Sequence, residues 1–228
     1  LNQFDAKTGK SDLHIKGKLD NFYGFLFQNQ VLKGDFNLSS NYLEVSDFLS
    51  PTTVVDKESK TVKAIKIPSF LDCNFSANIK EVRYDNLSLS GVTGNMIVKD
   101  EKVTLNDLKM GLFDGNILLS GIVSTKENIP TFNMKLALDK LNITSSFSQI
   151  KMLSSIAPIV NTIEGKLNAT IDLSGFLNDD MTPDLSKITG NLFGQLVDSK
   201  LNPTSSKLLS SLNSQMNFLD VDQLNLND

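Results

Sequence analysis

The sequence predicts a mainly β protein: a long antiparallel, meandering and curled sheet, forming an open groove or half-barrel, with two short amphipathic helices. Apolar and polar residues alternate with period two in many short segments, which places one set on each face of a sheet. The links between these segments are short and turn-like, such as 99–102 and 113–115, as in antiparallel hairpins. Only two segments have helical spacing instead.

The predicted strands follow the alternation along the chain. It is clearest in four segments, at 13–19, 71–79, 132–138 and 167–173. In the last two, one face carries the apolar residues Phe132, Met134, Leu136, Leu138, Leu167, Ala169, Ile171 and Leu173. Further strands are expected at 32–38, 62–67, 87–91, 94–98, 103–112, 117–123, 190–197 and 218–226.

The two predicted helices have apolar residues three and four positions apart. The first, 145–163, begins at a cap formed by Ser145 and Ser146 and is ended or kinked by Pro158. The second is predicted at 204–216. Two short helices cannot cover the apolar faces of a dozen strands, and an exposed apolar face must be covered by something. The sheet is therefore expected to fold back as a sandwich, to close as a barrel, or to curl into a trough that holds an apolar ligand.

Glycine recurs on the apolar phase of the predicted strands, although it weakens a strand. Gly17, Gly34 and Gly121 fall within strands, and Gly165 and Gly175 bracket the segment 167–173 on the same phase. Glycine on an inner face allows a sheet to bend sharply. We therefore expect these five residues on a concave face, where strands bend or where a helix packs closely, which favours the trough.

Composition excludes several classes of protein. The 22 basic and 26 acidic residues are dispersed, so the chain lacks the basic surface that nucleic acid requires. The single cysteine, Cys73, cannot form an internal disulfide and fits a small buried hydrophobic position. No window approaches the ~18 consecutive apolar residues of a membrane-spanning helix, and the first residues lack a signal-peptide core.

Candidate catalytic and metal-binding groups are sparse. The single histidine, His14, lies on the polar phase of its strand and is expected to be a solvated side chain. The pairs Asp179/Asp180 and Asp220/Asp222 lack the glycine and terminal glutamate of a calcium loop. The segment from Gly91 to Gly94 is expected in a hairpin. We predict no enzyme activity, no metal and no cofactor.

The densest apolar run spans residues 22–27 and contains Phe22, Tyr23, Phe25 and Phe27. The first interpretation is a core strand or a helical turn. The alternative is an apolar contact patch that faces lipid or a protein partner.

The order of elements resembles a known family. Residues 94–105 (GNMIVKDEKVTL) form a hairpin pattern that leads into a strand ending in glycine, 114–121, and then into a long alternating strand. The helix through 157–160 (APIV), the strand 165–175 (GKLNATIDLSG) and the segment 188–196 (ITGNLFGQL) follow. In this order the chain resembles the C-terminal region of the AsmA family over roughly residues 10–228.

The resemblance implies a fold and a role. AsmA-like proteins of Gram-negative bacteria are similar to TamB and other bridge-like proteins, with an inner-membrane anchor at the N-terminus and a periplasmic β-rich body. That body is a curled sheet whose apolar groove moves phospholipid toward the outer membrane and supports outer-membrane assembly. The resemblance therefore implies a non-enzymatic segment that binds phospholipid or another acyl-chain lipid. Its expected partners are the membrane, through an anchor missing from this sequence, and outer-membrane assembly proteins, with no nucleic acid.

The candidate groove combines the glycines with the apolar residues of two strands. These positions are Gly17, Gly34, Gly121, Gly165, Gly175, Phe132, Met134, Leu136, Leu138, Leu167, Ile171 and Leu173. Residues 1–228 are expected to form one elongated domain cut from a longer chain, with possible sub-units 1–68 and 69–228. The alternative function is a sealed β-sandwich that serves as a structural or protein-interaction module in envelope biogenesis.

Overall fold

The computed structural model describes residues 3–48, 66–149 and 163–201, and β-strands dominate all three ranges. The strands are β1 (Phe4–Thr8), β2 (Ser11–Leu19), β3 (Leu32–Glu44), β4 (Leu71–Tyr84), β5 (Leu87–Lys99), β6 (Lys102–Leu112), β7 (Gly115–Ser124), β8 (Thr131–Asn142), β9 (Ile163–Phe176) and β10 (Thr189–Leu201). All ten belong to one sheet in the order β1 to β10. The predicted mainly β class is confirmed.

The sheet is open. Strands β1 and β10 are its two edges and do not pair with each other, so the sheet is not closed into a barrel. Every described strand belongs to this one sheet, so the described residues do not form the two stacked sheets of a sandwich. Of the three arrangements that the sequence left open, the sandwich and the barrel are not found in the described residues, and the sheet is open.

One strand pair departs from the predicted antiparallel meander. Strand β3 runs parallel to β4, with Leu32 opposite Leu71 at one end and Glu44 opposite Arg83 at the other. All other neighbours are antiparallel. A parallel pair requires a crossover of a dozen or more residues, and the 26 positions from 45 to 70 are long enough for one. The prediction of a wholly antiparallel sheet is wrong at this junction.

Strand β5 corrects a second prediction. The segments 87–91 and 94–98 belong to one continuous strand, and the residues from Gly91 to Gly94 do not form a hairpin. Gly91 has φ +59° and Gly94 has φ +149°, and the register with β6 shifts at this point. Glycine at positive φ inside a strand produces a bulge, which the sequence pattern does not distinguish from a turn.

The helices also differ in part from expectation. Helix α1 (Phe22–Gln28) forms within the aromatic run, and helix α2 (Ile143–Gln149) begins two residues before the predicted serine cap. Asn142 replaces that cap, because its Oδ1 accepts a hydrogen bond from the Ser145 N–H at 3.0 Å. Strand β1 was not predicted. Of the predicted strand 62–67 only residues 66 and 67 are described, and they are not in a strand.

Several predicted elements lie outside the described residues. These are the remainder of the first predicted helix after residue 149 and before residue 163, the helix 204–216 and the strand 218–226. The boundary between the possible sub-units 1–68 and 69–228 falls between β3 and β4, which pair along their whole length.

The hydrophobic core lies on one face of the sheet. Its buried residues come from β4 to β8 and pack against each other across the strands: Ile79, Val82, Val92, Met110, Leu112, Ile117 and Leu141. We call this set the buried cluster. Alternation places the polar residues of the same strands on the opposite face, which faces solvent.

Candidate functional site

One register row crosses the apolar face from β2 to β10. Each residue is directly opposite the next one, and the row consists of Gly17, Phe36, Phe75, Met96, Leu105, Gly121, Met134, Leu173 and Gly190. The rings of Phe36 and Phe75 are stacked with their centroids 5.3 Å apart. The row contains no charged or hydrogen-bonding side chain.

A second apolar row runs beside the first. It contains Ile15, Leu38, Ala77 and Gly94 on β2 to β5, and Leu108, Leu119, Leu136, Ile171 and Leu192 on β6 to β10. The two parts meet at a bulge in β6, where Asp107 has φ +50°. We call the two rows together the apolar strip.

The apolar strip is less covered than several of the residues on either side of it. From β2 to β9 its side chains are half-buried. Ile79, Val92 and Ile117 on one side are buried, and Cys73 and Phe132 on the other side are buried as well. A half-covered band therefore runs across the sheet, and parts of both its borders are better covered.

The strip is longer than one lipid tail. Neighbouring strands are about 4.8 Å apart, so the eight spacings from β2 to β10 give a band of roughly 38 Å. The hydrocarbon core of a bilayer is about 30 Å thick and contains two leaflets, so one acyl chain spans about 15 Å. Two extended acyl chains would fit end to end along the strip.

The strand glycines lie beneath large neighbouring side chains. A Cβ added to Gly17 would be 2.6 Å from Cδ1 of Phe36, and one added to Gly34 would be 2.7 Å from Cε2 of the same ring. A Cβ on Gly121 would be 2.9 Å from the Cα of Met134 and would also meet its sulfur. Glycine here makes room for a large neighbouring side chain, which belongs to the next strand at Gly17 and Gly121 and to the same strand at Gly34. The predicted concave position of these glycines stays a prediction.

The structure places the predicted groove residues on one face. Gly17, Gly121, Met134, Leu136, Ile171 and Leu173 belong to the apolar strip, and Gly34, Gly175, Phe132 and Leu138 belong to its two borders. Leu167 lies farther along β9, opposite Leu141. Gly165 has φ +143° and faces the register shift between Val197 and Lys200 of β10, so it lies at a bulge.

Four large residues of the first row were missed in the sequence: Phe36, Phe75, Met96 and Leu105. They connect the two ends of the row. The bulges beside Gly94 and Asp107 interrupt the alternation in β5 and β6 and hide their common face. Phe75 belongs to the apolar side of the alternating segment 71–79, and this pattern could have identified it as a residue of the apolar face.

The aromatic run forms an exposed patch rather than a piece of the core. Phe22, Tyr23 and Phe27 on α1 are exposed, Tyr23 and Phe27 with their ring centroids 4.9 Å apart. Phe25 is half-buried and contacts the ring of Phe70, which precedes β4, at 5.7 Å. Helix α1 is thus held in place by this aromatic contact and by hydrogen bonds of its N-cap residue Asn21 with Val31 and Lys33, and it presents its other rings to solvent.

His14 is paired rather than simply solvated. Its Nδ1 lies 2.7 Å from Oδ1 of Asp5 on β1, and its Nε2 lies 3.2 Å from Oδ2 of Asp12. The hydrogen bond to Asp5 raises the pKa of His14. The backbone N–H groups of Tyr42 and Asn41 donate to Asp12 and lower the pKa of that carboxyl. The group therefore links the edge strand β1 to β2 and β3.

The other candidate polar residues make contacts only with near neighbours in the chain or lie outside the described residues. Asp180 accepts hydrogen bonds from the N–H and the hydroxyl of Thr182, which closes a turn, and Asp220 and Asp222 lie outside the described residues. Cys73 is buried, as expected. Within residues 3–48, 66–149 and 163–201, no three His, Cys, Asp or Glu side chains are placed to hold a metal ion.

No helix in the described part of the chain is long and apolar enough to cross a membrane. No protein-family model matches this chain, and no curated protein matches it either.

Proposed function

We propose that this chain is a non-enzymatic, lipid-binding segment whose apolar strip holds the acyl chains of phospholipids. The observation that carries the proposal is the continuous, uncharged and half-covered strip that crosses the sheet from β2 to β10. Contiguous apolar surface that stays partly exposed is typical of sites that bind a ligand or a partner.

The energetic argument follows from the exposed hydrocarbon of both partners. Each methylene removed from water contributes about 0.8 kcal/mol, so ten methylenes laid on the strip would contribute about 8 kcal/mol before the costs of association. Such binding needs no specific polar contact, which agrees with a strip made only of Gly, Ala, Leu, Ile, Met and Phe.

The cellular setting of the proposal comes from the resemblance to the AsmA family. On this proposal the segment lies in the periplasm of a Gram-negative cell, and an inner-membrane anchor belongs to the N-terminal part of the full-length protein. Phospholipid passes along the strip toward the outer membrane, where assembly proteins are further partners.

A second candidate function, a protein-interaction module, is favoured by α1. Tyr23 is 68% exposed and Phe27 is 70% exposed, and aromatic residues are enriched in the centres of protein interfaces. On this alternative the α1 patch, not the strip, makes the functional contact.

Lipid binding is tested on the whole chain purified without detergent. Solvent extraction and mass spectrometry should detect phospholipid, and vesicles of labelled phospholipid should transfer label to the protein. Replacement of Leu105 by lysine puts a charge into the strip and should abolish both signals, because burying an unpaired ammonium beside acyl chains is costly. The matched control is Asn106→Lys, the next residue along β6, which is exposed and lies on the opposite face.

Two results would contradict the proposal. One is wild-type protein that contains no phospholipid and takes up no label. The other is a Leu105→Lys protein with a normal circular dichroism spectrum and undiminished uptake. If Leu105→Lys does not fold, Met96→Gln removes apolar surface from the neighbouring position of the same row without adding a charge.

A further inference from the structure

The two edges of the sheet are built differently. Edge strand β1 has five residues, including Asp5 and Lys7, and charges of this kind discourage pairing with another strand. Edge strand β10 has 13 residues, and from Thr189 to Val197 it contains no charge and no proline. In the described part of the chain, only β9 pairs with β10.

Strand β10 also carries two large apolar side chains that are exposed. Leu192, on the apolar face, is 68% exposed, and Phe193, on the opposite face, is 81% exposed. An edge strand presents unpaired backbone N–H and C=O groups, and these groups recognise another extended polypeptide strand. The occupant that fits this edge is therefore a β-strand.

The strand pairs within the sheet indicate which side chains an added strand should place opposite the glycines of β10. Across neighbouring strands, glycines on the apolar face are repeatedly paired with large residues. The pairs are Gly17 with Phe36, Gly121 with Met134, Gly175 with Phe132, and Gly190 with Leu173. In these pairs the large side chain fills the space above the glycine.

The same pairing of glycines with large residues results when β10 pairs with β10 of a second copy of the chain. In an antiparallel pair with Phe193 opposite its own counterpart, Leu192 lies opposite Gly194, and Gly190 lies opposite Leu196. On the other face Asn191 lies opposite Gln195, which pairs two amides. If the register between the two β10 strands shifts by two residues in one direction, Gly190 lies opposite Gly194. If it shifts by two residues in the other direction, Gly194 lies opposite its own counterpart. Both registers place glycine opposite glycine and leave the space above it unfilled.

We propose that β10 pairs with β10 of a second copy of this chain in that register, forming a twofold symmetric dimer. Residues that are directly opposite point to the same face of a sheet, so the pairing joins the two apolar faces on one side. Each apolar strip then continues into the strip of the other copy, and the two-fold axis passes beside Phe193. The dimer rests on the edge of the sheet and does not depend on lipid binding.

Sedimentation velocity on the full chain, from about 1 to 100 µM, tests the dimer. Phe193→Lys places two like charges opposite each other and removes an aromatic pair, so the dissociation constant should rise at least about tenfold. Phe193→Glu should do the same. A one-to-one mixture of the two variants should restore the dimer as a mixed species, because lysine then lies opposite glutamate.

The matched control is Thr93→Lys, which adds the same charge at an exposed position of the central strand β5 and should leave the dimer intact. Circular dichroism establishes that the variants are folded, as expected for an exposed site. The proposal is overturned by a wild-type chain that stays monomeric throughout this range, by a dimer that Phe193→Lys does not weaken, or by a mixture of the two charged variants that stays monomeric.

Discussion

The buried cluster and the apolar strip lie on the same face of the same sheet and follow the same alternation, but they differ in cover. Ile117 of the cluster is 8% exposed, whereas Leu105 of the strip, on the neighbouring strand, is half-buried. A period-two pattern therefore indicates which face a residue is on and not how much of that face is covered. Where cover is complete the residues form the core of the fold, and where it is partial they keep some exposed apolar surface, which is the surface that our proposal assigns to a ligand.

The two regions also differ in how they are filled. The cluster packs leucine, isoleucine, valine and methionine from neighbouring strands against each other. The strip includes Gly17, Gly94, Gly121 and Gly190 among its large residues. Removal of a side chain should therefore be costly in the cluster, whereas addition of one should be costly in the strip.

The largest expected effect on stability is in the buried cluster. Ile117→Ala should lower the free energy of unfolding by about 3 kcal/mol, because it removes buried methylenes and leaves a cavity. Urea denaturation measures the change. Leu118→Ala, at the adjacent residue on the opposite face, is the control and should lower it by less than about 1 kcal/mol, since Leu118 is 36% exposed. Equal losses for the two variants would show that the cluster is not the core.

The next effect is expected at a glycine of the strip. Gly121→Ala should lower the free energy of unfolding by about 2 kcal/mol, because the added Cβ meets the Asn133 carbonyl and Met134. Gly194→Ala makes the same change where the nearest atom, Cδ1 of Leu167, is 3.3 Å away and can move. In the monomer this control should be neutral or slightly stabilising, because alanine is favoured over glycine in a strand. A stabilising Gly121→Ala would contradict the tight fit beneath Met134.

A smaller loss of stability is expected from truncation within the strip. Leu105→Ala should lower the free energy of unfolding by about 1 kcal/mol, since a half-covered side chain loses less contact than a buried one. The same variant should take up less labelled phospholipid. The comparison with Ile117→Ala separates the two roles, because that variant should lose more stability and less uptake. The opposite ranking would remove the distinction between the two regions.

Much of the fold was predictable because alternation is a local property of the chain. The strands from β2 to β10 were all anticipated from it, with β5 in two pieces, and so was the common face of residues such as Met134 and Ile171. The parallel pairing of β3 with β4 was not, because alternation carries no information on strand direction. Strand β1 was missed because its five residues are too short for a clear pattern.

The strip as a continuous band could not be predicted from the sequence. Its continuity depends on register between strands, and register depends on bulges at single residues such as Asp107 and Lys140, both with positive φ. A bulge changes the phase of every residue that follows it in the strand. The borders of the strip also depend on burial, which is set by the assembled sheet and not by any one segment.

The smallest effect on stability is expected from His14, which lies on the opposite face of the sheet. It provides a control for both apolar regions. Its pKa is raised above the ordinary 6.5 by Asp5 and then Asp12, so the protonated ring is the form that stabilises the fold. This contribution is complete below pH 6.5 and is lost as the pH rises through the raised pKa of the folded state. The pKa of Asp12 is lowered, so its own contribution is lost only in more acidic solution.

The urea midpoint of the wild type should therefore fall slightly between about pH 6 and pH 8, whereas that of His14→Gln should not. The effect is small because the His14 side chain is 43% exposed and solvent weakens its ion pairs. Lipid uptake should be the same for both proteins at either pH, because His14 points away from the apolar strip. A pH-dependent uptake that disappears in His14→Gln would show instead that the two faces are coupled through β1 and β2.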